Sequence, residues 1–250
     1  MSLTSTLLTV LLTQTSPGGS AFSVEIATEC VQQADCPNAR WSSFYGTWVR
    51  RESRATAEQR YARIVDAAVT AANELLCVDD SGRPVENCTP YTGVSVKTGP
   101  RWKRDELATM GAAFAIIESG LREDVQVGRG YAKKPSDDGG RGRGPGKEAC
   151  LLQIHPKVYH RFTEGPLEAL MGHEREALLE CFRTGMRMII NARAVCARRA
   201  RGVPWDWATA AMYTTGHSCT AANQGKTAAR AYLYRRMLAA VRNASKKNAS

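Results

Sequence analysis

Eight cysteines spread along the chain limit the folds open to this sequence more than any other feature. None of them forms a C-x-x-C pair, and none clusters with histidine as zinc sites require. An even number of scattered cysteines is typical of disulfides, which form and persist in oxidising compartments. We therefore predict a disulfide-braced protein that is exported to the periplasm or the extracellular space.

Helix geometry limits which cysteines can pair. Cys181 and Cys196 lie on one predicted helix, and a rise of 1.5 Å per residue separates them by about 22 Å, which is beyond disulfide reach. Each must therefore pair with a cysteine elsewhere. The sequence leaves the connectivity open. The pairing that we expect joins Cys30 to Cys36, Cys77 to Cys88, Cys150 to Cys181 and Cys196 to Cys219.

Helical periodicity dominates the chain from residue 55 onward. Apolar residues recur at the spacing of one helical face in several segments, whereas the alternation typical of strands is scarce. Gly120 stands where a helix C-cap belongs, and Gly172 is expected to interrupt the third segment. The sequence predicts a mainly α fold. The predicted helical segments are Ala55–Cys77, Arg104–Gly120, Pro166–Arg199, Trp205–Thr215 and Thr227–Asn243.

The N-terminal residues differ from the body of the chain. Residues 1–22 contain an apolar run at Leu7–Leu12 followed by small residues near Ala21, which is typical of a signal peptide, the alternative being an ordinary strand or tail. We assign residues 23–100 to an N-terminal helical segment and linker, and residues 101–250 to the main domain. No later apolar run approaches the ~20 residues that span a bilayer, so no transmembrane segment is expected in the body.

The chain is strongly basic, with 34 Lys and Arg against 24 Asp and Glu and a formal charge of +10. A basic surface attracts polyanions such as peptidoglycan with its attached polymers, nucleic acid or acidic membranes, although it can also serve solubility alone. The Arg- and Gly-rich stretch at residues 128–147 is predicted to be a mobile loop. A solvated insertion or cleft lid is favoured over a nucleic-acid-binding segment, so no nucleic acid partner is expected.

Glu118 is the residue best suited to acid–base chemistry. It lies in the last turn of a predicted helix, next to Ile116 and Ile117. Apolar neighbours and the negative end of the helix dipole both disfavour a carboxylate, so the sequence predicts a raised pKa. A carboxylic acid that stays protonated near neutral pH can protonate a glycosidic oxygen. A glutamate at a helix end is by itself usually a solvated surface residue, so this interpretation depends on other motifs.

Three motifs occur in the order found in one enzyme family. Glu118–Leu121 (ESGL) resembles the E-S-x-F signature of the transglycosylase SLT family, and Cys150–Ile154 (CLLQI) resembles its G-L-M-Q-I motif. Ala210–Gly216 (AAMYTTG) resembles its A-A-Y-N-A-G motif. Between the last two, Leu178–Ile189 is similar to the family's N-I-x-x-G-x-x-Y-L helix. The resemblance covers roughly residues 107–238 and implies a lysozyme-like helical domain that binds peptidoglycan glycan strands.

The resemblance also implies a mechanism with a single carboxyl group. Glu118 would be the catalytic residue: it protonates the leaving sugar oxygen and then acts as base on the C6 hydroxyl of muramic acid, which releases a 1,6-anhydro product. Gln153 and Ile154 would shape the cleft, and Tyr213 would hydrogen-bond near the glutamate and the substrate's N-acetyl group. Ser119 is grouped with these substrate-binding residues, although its place at the helix end also suits it to orient Glu118 or to cap the helix. No metal and no cofactor are expected.

The chain departs from the family pattern in ways that leave alternatives open. Cys150 replaces a glycine, which suggests a disulfide at the cleft wall, and Thr214 replaces an asparagine that contacts substrate. A second carboxylate could position a water and make the protein a hydrolytic lysozyme. A catalytically inactive wall-binding or virion structural protein is the other alternative. Secretion or phage machinery is a further candidate partner, and a phage-encoded protein would be virion-associated. The candidates for the second carboxylate are Glu123, Asp124, Asp137 and Asp138.

Overall fold

Helices make up most of the part of the chain that the computed structural model describes, which comprises residues 3–7, 40–42, 49–51, 54–93, 100–121, 123–127, 148–220 and 224–247. The predicted mainly α, disulfide-braced fold is confirmed. The short strands β1 (Arg40–Ser42) and β2 (Val49–Arg51) pair antiparallel, with Trp41 opposite Arg50. The helices are α1 (Arg54–Leu76), α2 (Arg104–Ser119), α3 (Glu123–Gln126), α4 (Pro156–Tyr159), α5 (Arg175–Arg199), α6 (Trp205–Thr215) and α7 (Gln224–Lys247).

Helix α2 is the centre of the fold. It packs against α1, α5 and α7, and every residue from Leu107 to Ile116 is buried. A helix that is apolar on all sides belongs inside a protein, which is how this segment is used. The helix ends at Gly120, which adopts a left-handed conformation with φ 60° and donates its backbone N–H to the carbonyl of Ile116. The predicted C-cap is therefore confirmed, and Glu118 lies in the last turn.

The segment after residue 166 is divided, as expected, near Gly172. A 3-10 helix spans Leu167–Leu170, Gly172 has φ 156°, and α5 begins at Arg175. Helix α5 packs on α1 and α6, and α7 packs on α2 and α6. Because α1 packs on both α2 and α5, the N-terminal helical segment shares one core with the domain that follows it.

Three of the four expected disulfides are confirmed, and the fourth, Cys30–Cys36, lies outside the described residues. One bridge closes the loop that follows α1, a second fastens the loop at residues 149–154 to α5, and the third joins α5 to the segment after α6. Their Cα–Cα distances are 5.5, 6.1 and 5.5 Å, in that order. The three bridges are Cys77–Cys88, Cys150–Cys181 and Cys196–Cys219.

The N-terminal residues are described only at positions 3–7, which are helical. Leu7 is completely buried in the main core. The rest of the predicted signal peptide and the Arg- and Gly-rich stretch at residues 128–147 lie outside the described residues. In the described ranges, none of the helices combines the length and apolar character that crossing a membrane requires.

A close approach at Gly185 brings the 149–154 loop against α5. A Cβ atom at this position would lie 3.2 Å from Cβ of Leu152, and closer still to its terminal methyl group. We expect Gly185→Ala to lower the free energy of unfolding by about 1–3 kcal/mol through overpacking. Alanine's better helix propensity, about 1 kcal/mol, opposes this loss only in part. Urea denaturation measures the difference.

Gly225 in α7 provides the matched control, because a Cβ atom there meets nothing within 4 Å. Gly225→Ala is expected to be neutral or to stabilise the protein by up to about 1 kcal/mol. Equal effects of the two substitutions would show that α5 and the 149–154 loop do not depend on this close approach.

Candidate active site

The end of α2 is fixed by several hydrogen bonds around Glu118. The hydroxyl of Ser119 donates to the carbonyl of Ala115 at 2.7 Å and accepts from the backbone N–H of Leu121 at 3.1 Å. From α1, the guanidinium of Arg60 donates to the Leu121 carbonyl. Ser119 has no exposed surface. Its location therefore fits the role of orienting Glu118 rather than direct contact with a substrate.

Two cations from α7 face the carboxylate of Glu118. Arg230 forms an ion pair with its Oε1, and Nζ of Lys226 lies 3.9 Å from its Oε2. The Arg230 side chain is only 2% exposed and that of Glu118 10%, whereas Lys226 is 59% exposed. Opposite charges at this range favour the ionised carboxylate. The apolar neighbours and the helix dipole that predict a raised pKa for Glu118 are therefore opposed by two cations that lie far away in the sequence.

Arg230 is held in place by α6 as well as by Glu118. Its Nη1 donates to Oγ1 of Thr214, which also accepts a hydrogen bond of 3.4 Å from Thr227. The guanidinium carbon lies 5.7 Å from the ring centroid of Phe114 and 5.6 Å from that of Tyr213, within cation–π range. Thr214 stands at the position where the family motif has asparagine. Its hydroxyl oxygen accepts the hydrogen bond that holds Arg230 in place.

Tyr213 connects α6 to the 149–154 loop. Its hydroxyl donates to the carbonyl of Leu152 at 2.8 Å, and its ring meets the ring of Phe114 edge-on at 4.9 Å. Burial raises the pKa of Tyr213, so the hydroxyl remains a neutral donor across the physiological range. The hydrogen bond predicted from Tyr213 near the glutamate and the substrate's N-acetyl group stays a prediction.

The 149–154 loop is a tight turn with two residues in the left-handed region. Ala149 and Ile154 pair through backbone hydrogen bonds of 2.9 Å, while Cys150 has φ 57° and Gln153 has φ 50°. Such values favour glycine, the residue that the family motif has at the position of Cys150. The side-chain amide of Gln153 is partly exposed and donates to the Cys150 carbonyl at 3.0 Å. Ile154 is completely buried, and its role in shaping a cleft stays a prediction.

Sequence reasoning did not identify Gln126 and Arg230, two buried polar residues near this site. The amide of Gln126 donates to the carbonyl of Leu170 and accepts from the backbone N–H of Leu151, which ties three segments together. Arg230 shares the buried face of α7 with Thr227 and Tyr234, at helical spacing. An arginine on the apolar face of a predicted helix is the sequence pattern from which a buried ion pair could have been predicted.

The site therefore combines a nearly buried Glu118, two cations, and the side chains of Tyr213 and Gln153 on two further segments. Comparison of the chain with protein-family models, with curated proteins and with solved structures finds no significant match. The chemistry of the site must therefore be argued from its geometry and from the motifs.

Proposed function

We propose that this protein is an exported lytic transglycosylase that cleaves the β-1,4 bond between N-acetylmuramic acid and N-acetylglucosamine in peptidoglycan. The observation that carries the proposal is the convergence of three distant motifs at the end of α2. Glu118 and Tyr213 both contact Arg230, and Tyr213 binds the loop that carries Gln153. Three segments that resemble one enzyme family in sequence order thus also meet in space.

In the proposed reaction Glu118 first donates a proton to the substrate and then accepts one from it. Its protonated carboxyl donates to the glycosidic oxygen as the C1–O bond breaks, which releases the N-acetylglucosamine end. The resulting carboxylate then takes the proton of the C6 hydroxyl, whose oxygen bonds to C1 and closes the 1,6-anhydro ring. No water is consumed, and Glu118 is again protonated at the end. A carboxyl group that is only 10% exposed suits a reaction in which water competes with the C6 hydroxyl.

The charge and the disulfides support the substrate and the location. A formal charge of +10 favours adsorption to an anionic wall, and this attraction weakens as salt rises. The three disulfides are typical of proteins in oxidising compartments. Binding of peptidoglycan outside the cytoplasm is the function that accounts for both features together.

Mass spectrometry of digested peptidoglycan tests the proposal. We expect muropeptides that end in 1,6-anhydromuramic acid, each lighter by one water than its hydrolysed counterpart. Reducing-end sugars without anhydro products would instead identify a hydrolytic lysozyme with a second carboxylate. The side chains of the predicted candidates for that carboxylate lie outside the described residues.

A catalytically inactive wall-binding protein is the second candidate, and the ion pair between Glu118 and Arg230 is the observation that favours it. A guanidinium in contact with the carboxylate opposes the protonated form that acid catalysis needs. If purified sacculi retain the protein in a salt-sensitive manner but release no soluble fragment at any pH, this second function is correct.

A further inference from the structure

The buried guanidinium of Arg230 provides a means of controlling the protonation of Glu118. We propose that Arg230 is the positioning residue of this site, which holds Glu118 as a carboxylate in the free protein and confines its proton-donating form to acidic conditions. The proposal names a control of the same site and rests on the proposed function. Its electrostatic part can nevertheless be measured without any activity.

Arg230 is fixed by its surroundings and cannot easily turn away from the carboxylate. It contacts Glu118 on α2 and Thr214 on α6, and it lies over the rings of Phe114 and Tyr213. Its side chain is 2% exposed, so solvent screens its charge poorly. Separating the two charges of a buried pair is costly, because each charge then loses the direct contact that compensates its desolvation. Arg230 therefore acts as a permanent positive charge at Glu118.

Among the described side chains, the further charged contacts at this end of α2 are made by cations. Lys226 adds a second cation from α7, and Arg60 from α1 adds a third at the Leu121 carbonyl. Helix α6 contributes Tyr213, which stays neutral. Helix α5 makes its charged contact at the opposite end of α2, where Arg193 meets Glu106 at 3.6 Å.

Desolvation of the nearly buried carboxyl group and the negative end of the α2 dipole both oppose ionisation of Glu118. The dipole corresponds to about half a charge at the helix terminus, which is less than one guanidinium in direct contact, and the contact with Arg230 also offsets the cost of desolvation. The balance of the described groups therefore favours the carboxylate. Since the reaction needs the protonated form, activity should be highest at acidic pH and should fall as pH rises through the titration midpoint of Glu118. Removing the charge of Arg230 should move that fall to higher pH.

A ¹³C NMR titration of the glutamate carboxyl groups tests the proposal directly. The Glu118 signal is assigned from its loss in Glu118→Gln, and the exposed Glu86 serves as an internal reference. We expect the Glu118 midpoint to lie below that of Glu86 in the native protein and to rise by about 1–3 pH units in Arg230→Met. Arg230→Lys, which keeps the charge, should stay near the native value. Lys226→Met should give a much smaller shift, because that cation is exposed.

The outcomes separate this inference from the proposed function. A native Glu118 midpoint at or above that of Glu86 overturns the inference, even if Arg230→Met fails to fold. In the active enzyme, the high-pH limb of the activity profile should shift in Arg230→Met by the same amount as the NMR midpoint. A limb that stays in place removes Arg230 from control of the acid. If the midpoints behave as expected but no variant releases muropeptides at any pH, the proposed function fails while Arg230 still sets the charge of Glu118.

Discussion

Glu118→Gln should abolish the release of muropeptides from purified peptidoglycan, with a loss of at least about 10³-fold. A glutamine amide can neither donate a proton to the glycosidic oxygen nor remove one from the C6 hydroxyl, so both steps fail in the same variant. The fold should survive, because the amide oxygen can still accept a hydrogen bond from Arg230. Fragment release is measured by mass spectrometry, and the thermal melt confirms folding.

Glu86→Gln is the matched control, because Glu86 is exposed in the loop that follows α1. This variant should release muropeptides at the native rate, and both variants should bind sacculi equally well. Fragment release by Glu118→Gln within a few-fold of the native rate would remove Glu118 from the mechanism. Absence of release in all three proteins, with binding retained, would favour the wall-binding function.

Removing the disulfide between Cys150 and Cys181 should cause a large loss of stability. The bridge spans a separation of 31 residues, and in the chain-entropy model opening it costs about 3–4 kcal/mol. Cys150 also has φ 57°, a conformation that a serine adopts unfavourably once the bridge no longer enforces it. We therefore expect Cys150→Ser/Cys181→Ser to destabilise the fold and to release the 149–154 loop from α5. Urea denaturation without reductant measures the first effect.

A variant that lacks the bridge between Cys77 and Cys88 is the control that separates a local effect on the site from a general loss of stability. The bridge spans a separation of 11 residues, so Cys77→Ser/Cys88→Ser should cost about 3 kcal/mol. In its loop, the side chain of Asp80 accepts a hydrogen bond from Asn73 and its backbone carbonyl accepts one from Arg104, at the beginning of α2 rather than at its end. Muropeptide release per folded molecule should fall only in the variant that lacks Cys150 and Cys181. Equal losses in both would show that the 149–154 loop has no special role.

The secondary structure was largely predictable from the sequence because it depends on local signals. Apolar spacing located the long helices, Gly120 marked the end of α2, and helix length excluded a bridge between Cys181 and Cys196. These features involve residues that are close together in the chain, and the regular geometry of a helix fixes the distances between such residues. Helix length excluded only one pairing, so the three confirmed disulfides were expected without being determined by the sequence.

The site was less predictable because its electrostatics arise from packing between helices. The neighbours of Glu118 in the chain are apolar, whereas its partner Arg230 reaches it only because α7 packs on α2. Packing likewise buries Ser119 and Ile154, although both lie within motifs implicated in substrate binding. A motif identifies which residues are brought together, but the packing of the helices decides which of them reach the surface.

The three confirmed disulfides close separate loops that do not overlap along the chain. Their entropic contributions therefore add, to about 10 kcal/mol. An ordinary domain has a free energy of unfolding of about 5–15 kcal/mol, so a contribution of this size is comparable to the whole of it. Recombinant protein that is made in a reducing cytosol, or stored with a thiol reductant, would lack these bridges and would therefore be much less stable than the oxidised chain. Purification and every measurement above require an oxidising route from the first step.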